Sequence, residues 1–278
     1  MISLLAEPFA YPFMVKALLM AVIVAVPAAL LSCFLVLKGW ALMGDGISHA
    51  VLPGIVLAHV AGLPLLAGAF VAGMFCALAA GWLDANSRIK PDTTLGIVMA
   101  GMFGLGIVIY TQVHTDLHLD HILFGNILGL GRDDFVSAGG ISAVVAAILI
   151  LKGRDFALLA FDPVQARVAG LATGWLHYGL LAMISAMVVA MLSAVGIILS
   201  VSLLIAPGAI AFLLTRRLRT MMPVAALVAA AASAMGIWAS FWLDSAPAPT
   251  IVVILTAIFA LAFAARQVLN RAATQRGA

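Results

Sequence analysis

Charge is what this chain has least of. Only 9% of its 278 residues are Asp, Glu, Lys or Arg, where a soluble domain carries about a quarter. With 65% hydrophobic residues and a mean hydropathy of +1.22, a soluble globular fold is excluded. Cysteine is nearly absent too: Cys33 and Cys76 each fall in the middle of an apolar run, which leaves no disulfide framework, CxxC pair or thiolate metal centre. There is no GxxxxGK[ST] phosphate loop, so ATP is not bound and hydrolysed by that route. No HExxH and no Ser/His/Asp arrangement is present, and an enzymatic reading has nothing to stand on. The first sixteen residues contain Glu7, Pro8 and Pro12 and lack a basic lead-in or a small-residue cleavage site. They are expected to be mature protein, not a signal peptide.

What remains is apolar sequence in lengths that cross a bilayer. Spans are expected at 17–37, 40–61, 63–83, 94–110, 136–151, 175–195, 196–215, 221–243 and 251–265. That makes an all-α polytopic membrane protein of about nine helices, with eight to ten as the bounds set by the short segments and the join at 195/196. Residues 1–278 form one transmembrane domain, with an external loop at about 111–135 and a cytoplasmic segment at about 152–174. Pro27, Pro53 and Pro207 lie inside spans, which predicts kinked or interrupted helices supported by their neighbours. The small-residue runs 101–106 and 229–234 read as close helix packing.

Alternating the nine spans puts twelve basic residues on one side: Lys38, Arg88, Lys90, Lys152, Arg154, Arg167, Arg216, Arg217, Arg219, Arg266, Arg271 and Arg276. Lys16 and Arg132 fall on the other. By the positive-inside rule the richer side is cytoplasmic, so the N-terminus is expected outside and the C-terminus in the cytoplasm. The net charge of +3 is thereby a topology signal, and no nucleic-acid partner is implied.

Three places concentrate polar chemistry. Asp45 and His49 sit early in the span at 40–61. Four residues apart, they share one helix face about one turn apart, and ionisable groups within a span mark a pathway or pump unless they merely satisfy each other. Carboxylate oxygen with imidazole nitrogen suits Mn²⁺, Fe²⁺ or Zn²⁺. One such pair holds an ion loosely, as conduction requires, and two copies across a dimer axis would supply four ligands. The external loop carries His114, Asp116, His118, Asp120 and His121. A helix would align His114, His118 and His121; a strand would align His114, Asp116, His118 and Asp120. The loop would then bind metal directly, form an acidic funnel or dock an external partner; otherwise it is a solvated loop rich in histidine. The third place is Phe161, Asp162, Pro163, Gln165, Arg167 and Gly170 in the cytoplasmic segment. Asp162 is a good N-cap, Pro163 an ideal first helical residue and Gly170 a natural stop. A short exposed helix of this kind invites a protein partner or simply ties two spans together.

The run Lys38-Gly39-Trp40-Ala41-Leu42-Met43-Gly44-Asp45-Gly46-Ile47-Ser48-His49-Ala50-Val51-Leu52-Pro53-Gly54 resembles the signature of permease subunits in the zinc/manganese/iron family of ABC importers. His121 to Asn126, Phe161 to Gly170 and Gly196 to Gly208 follow in the expected order. The resemblance covers nearly the whole chain and is strongest toward bacterial manganese/iron-type permeases, with zinc members close behind. It implies an importer subunit in the bacterial plasma membrane, with Asp45 and His49 lining the metal path. It also implies that residues 162–170 are the coupling helix seated in an ATPase, and that no cofactor is bound tightly, the divalent metal being substrate. The implied partners are a second permease copy or a related permease, two cytoplasmic ATPases, an extracytoplasmic metal-binding protein and membrane lipid. One departure is Gly46, where the family leads one to expect alanine; it should loosen the helix slightly between the two ligands.

Two other classes stand as alternatives. A siderophore, haem or B12-type permease usually needs a longer chain, and a bulky organic cargo has no use for an Asp/His pair. A gradient-driven secondary metal transporter would show inverted repeats and several intramembrane carboxylates, whereas Asp45 is the clear one here.

Overall fold

The structure, a computed structural model, describes residues 7–113 and 127–276. After a short 3₁₀ turn at Glu7–Ala10, the described chain is helical: α1 Pro12–Lys38, α2 Met43–Ala50, α3 Leu52–Val60, α4 Leu65–Asn86, α5 Pro91–Gln112, α6 Arg132–Phe161, α7 Pro163–Val168, α8 Thr173–Val195, α9 Ile197–Leu214, α10 Leu218–Leu243 and α11 Pro247–Arg276. Among the described residues, eight of these helices (α1, α4, α5, α6, α8, α9, α10 and α11) are long and apolar enough to cross a membrane. The all-helical polytopic fold expected from composition is the one observed.

The stretch expected as one span at 40–61 is instead the pair α2 and α3. The helical ladder runs up to the break, with the Val51 amide donating to the Ile47 carbonyl at 3.2 Å, and resumes beyond it, with Ile55 donating to Val51 at 3.0 Å. Pro53 has no amide to give the carbonyl of His49 four residues earlier, and its ring crowds that turn. The proline therefore divides the segment just past His49. At the uncertain join, Gly196 has φ +82° and ψ 173°, a region closed to residues with a side chain, so α8 and α9 are two helices with a single glycine between them. Helix α6 runs ten residues beyond the expected limit at 151. Lys152 pairs with Asp155 three residues on at 3.3 Å, because charges that end a hydrophobic run do not end a helix.

The core lies along α1 and α8, whose middle turns are almost wholly buried, as at Met20, Phe34, Leu35, Ile184, Met187 and Met191. Helix α1 packs against α6, α9 and α10, and α8 joins α6 to α4. A second group, α2 to α5, packs within itself and reaches the first through α8 and α9. The outward faces of α5, α6 and α11 expose Ile97, Val108, Val144, Ile150, Val253 and Phe263, a surface suited to lipid. Lys38 and Arg167 share one cavity at the end of the bundle where α1 and α4 finish and α8 begins, and the Gly153 region of α6 meets Met222 near the start of α10. Tyr11 at the start of α1 packs against Phe241 at the end of α10, ring centroids 5.8 Å apart, which defines the opposite end. The described basic residues outside the apolar runs, Lys16 and Arg132 excepted, thus gather at one end of the bundle.

Candidate metal-path site

Helix α1 stops at Lys38 because Gly39 turns left-handed, φ +70°, a conformation glycine adopts without penalty. The Gly39 amide then reaches the Val36 carbonyl and the Trp40 amide the Leu35 carbonyl, at 3.2 and 2.8 Å, closing the end as a Schellman motif. Trp40 is held between the Lys38 ammonium, 4.7 Å from its ring centre, and the edge of His177 at 5.3 Å. This clamp sets where α2 begins, and with it the height of Asp45 and His49.

The two side chains point into one cleft of about 510 Å³. Its floor is Asp45 and His49 on α2; its walls are Phe103 on α5 and Ile197, Ile198, Val201 and Ser202 on α9. Phe103 is twelve positions into α5, about 18 Å along that helix, so the cleft lies deep within the span. Asp45 Oδ1 and His49 Nε2 are 3.6 Å apart, too far for a hydrogen bond. Donors at that separation, each roughly 2.1–2.2 Å from a cation, subtend an angle of about 110–118° there. The pair can therefore chelate a first-row dication nearly as it stands. Phe103 meets the imidazole edge to face at 5.5 Å and fixes its plane. Ser202 is the remaining polar side chain of the lining; its hydroxyl donates to the Ile198 carbonyl at 2.9 Å, leaving oxygen lone pairs toward the cleft.

The side chains of Asp45 and His49 are 40% and 37% exposed. A carboxylate presented to hydrocarbon costs about 2.5–3.5 kcal/mol even by the milder scales, so this face of the protein does not face lipid. Among the described residues no third His, Cys, Asp or Glu joins the pair. Gly46, between Asp45 and His49, has a packing reason that the sequence did not show. A Cβ there would stand 2.9 Å from Cγ and Cδ1 of Leu95, so α5 approaches α2 where glycine leaves room. The helix hydrogen bonding continues across it, the Gly46 amide donating to the Leu42 carbonyl at 2.9 Å.

The segment expected to be cytoplasmic has the capped form expected. The Asp162 carboxylate accepts the amides of Val164 and Gln165 at 3.0 and 2.9 Å, and Pro163 opens α7. Gly170 donates to Arg167 and Leu171 to Ala166, both at 3.0 Å, a second Schellman ending. Ala166 faces the bundle, while Phe161, Val164 and Val168 are 64%, 70% and 84% exposed. The expected external ligands His114, Asp116, His118, Asp120 and His121 lie outside the described residues. Sequence reasoning missed Phe103, which it took for packing, and the α9 wall; the apolar character of both is shared with every lipid-facing turn.

The chain and its helical fold have counterparts among known proteins. The chain is 51% identical over 260 residues to the chelated iron transport system membrane protein YfeD of Yersinia pestis, covering 94% of this chain and 88% of that protein. It is 42% identical over 254 residues to the manganese transport system membrane protein MntC of Halalkalibacterium halodurans, covering 91% and 87%. Its fold superposes on PsaBC from Streptococcus pneumoniae, solved in complex with Fab, with a TM-score of 0.83, 32% identity and 95% of each chain covered. The profile of the ABC 3 transport family matches residues 10–266, nearly the whole of the bundle described above, and the chain belongs to that family.

Proposed function

We propose that this protein is the membrane subunit of an ATP-driven importer of a divalent transition metal, Mn²⁺ or Fe²⁺ first and Zn²⁺ next, and that Asp45 and His49 are transient ligands in its path. The observation that carries this reading is the pair itself: two donors 3.6 Å apart, deep in the bundle, on a face that lipid cannot cover. Relatives named for iron and manganese transport support the choice of metals. A second permease copy would close the cleft and bring two carboxylates and two imidazoles to one axis. The basic end is cytoplasmic, in the inner membrane of a bacterium. There Phe161, Val164 and Val168 on and beside α7 dock a separate ATPase, and an extracytoplasmic metal-binding protein delivers the ion at the other end.

The test is metal uptake by the assembled complex. Asp45→Asn keeps size and hydrogen bonding but removes the anion that offsets a dication, from both copies at once if the dimer is symmetric. His49→Ala removes the imidazole. Each is expected to lower uptake at least about tenfold, the scale on which perturbing metal coordination acts, with the complex still assembled with its ATPase. Uptake near wild type in both variants would make the pair structural and end the proposal.

A further inference from the structure

Behind α7 lies a cavity of about 880 Å³ that shares no lining residue with the cleft of Asp45 and His49. Lys38 and Arg167 both line it, with the donors Asn86, Thr173, His177 and Tyr178. No carboxylate is among its lining residues. The described carboxylates within 4 Å of a basic nitrogen are Asp45, beside His49, and Asp155, beside Lys152, so among the described residues neither Lys38 nor Arg167 has a carboxylate within ion-pair distance. Arg167 is tied through Nε to the Thr173 hydroxyl at 3.3 Å, and Lys38 lies against Trp40. Asp84 and Asp92 line a smaller neighbouring cavity on the far side of His177. The remaining wall is apolar: Met74, Leu78 and Trp82 of α4 carry it up the span, and Trp82 is 64% exposed. Two cations at the end of a groove whose apolar wall opens toward hydrocarbon match a ligand with an anionic head and an acyl tail.

We propose that this cavity binds an acidic phospholipid, its phosphate between Lys38 and Arg167 and one chain along Trp82, Leu78 and Met74. It rests on the cytoplasmic placement of the basic end, since basic pockets between helices on that side take anionic headgroups. Helix α7 packs mainly on α6 and α8, and the cavity separates it from the ends of α1 and α4. A lipid there fills the gap and braces the exposed helix against the bundle.

The test offers equal amounts of phosphatidylglycerol and phosphatidylcholine to the purified permease–ATPase complex in neutral detergent. The phospholipid retained is then counted by native mass spectrometry. The wild type is expected to retain phosphatidylglycerol in preference. Lys38→Gln should cut that preference about fivefold, the weight of one interfacial cation. Lys38→Arg should keep it, which separates lost charge from lost folding, and so should Arg154→Gln, an exposed cation outside the cavity. Asp45→Asn should leave retention unchanged even where uptake is lost, so this proposal and the metal-path reading fail separately. Equal retention of both lipids, or full retention in Lys38→Gln, overturns the proposal. So does retention only after the ATPase is stripped away, which would give the cavity to the ATPase, or displacement of all lipid by millimolar inorganic phosphate, which would make it a free-anion site.

Discussion

Gly46 lies between Asp45 and His49 and Gly54 five residues beyond them, and the structure ranks the two glycines. An added Cβ at Gly54 would fall onto the carbonyl oxygen of Gly68 and 2.6 Å from the methyl of Ala72. Backbone cannot swing aside, so α3 and α4 would have to part. Overpacking of this kind costs about 1–3 kcal/mol, and a rigid neighbour puts Gly54→Ala at the upper end. The gain in helix propensity from Gly to Ala returns about 1 kcal/mol, leaving a net loss of about 2 kcal/mol. At Gly46 the contact is 2.9 Å, with Cγ and Cδ1 of the Leu95 side chain, which, unlike backbone, can turn. The same propensity gain then nearly cancels a cost of about 1 kcal/mol. With roughly 2–4 °C of midpoint per kcal/mol for a chain of this size, Gly54→Ala should lower the thermal midpoint by about 4–8 °C and Gly46→Ala by less than about 3 °C. The assay is recovery of monodisperse protein by size exclusion after stepwise heating of the purified protein. A sharper arm uses Leu95→Ala as background: with the obstacle gone, Gly46→Ala should become stabilising. If Gly46→Ala costs as much as Gly54→Ala, or stays destabilising without Leu95, the steric account of this face is wrong.

Two further outcomes follow from the ends of the bundle. A cysteine at Ser245 should react with a membrane-impermeant thiol reagent in intact cells and one at Arg217 should not, as the basic asymmetry predicts; labelling at 217 would reverse the proposed orientation. Val164→Glu with Val168→Glu, at two strongly exposed apolar positions of α7, should abolish co-purification of the ATPase while the protein still inserts in the membrane; normal coupling in that variant would remove α7 from the interface.

Where lipid makes a residue expensive, the sequence was easy to read. Asp45 and His49 stood out because an ionisable pair inside an apolar run needs a reason to be there, and their spacing of four residues gave a shared face. The interruption after His49 was legible from Pro53, and the short helix at 163–168 from Asp162, Pro163 and Gly170. The walls of the cleft were not legible. Phe103, Ile197 and Val201 look in sequence like any lipid-facing residue, since a bilayer asks for the same apolar character as a core. Ser202 was hidden for a related reason: a serine in a membrane helix bonds back to its own carbonyl four residues earlier, so its presence in a span signals nothing. The length of α6 escaped because hydropathy marks where a helix leaves the membrane, and α6 continues beyond that point.

The contacts also say how a push at the basic end can reach the cleft. Helix α7 touches α6 and α8; α8 packs on α2, which carries Asp45 and His49, and on α9, which carries the opposite wall. Helix α5, with Phe103, packs on α2, α3 and α4. The two walls of the cleft thus belong to different groups of helices, joined through α2 and α8. On the proposed reading, a tilt of α8 driven from α7 shifts α9 against α5 and changes the width of the cleft without unfolding either helix. A pair of donors not hydrogen-bonded to each other, one of them in contact with Phe103, would then gain or lose its ion by a small change in spacing. On the same reading, a four-ligand cage within one protomer would resist such a change, whereas two ligands per chain, with the rest supplied across an axis, would release the ion when the halves part.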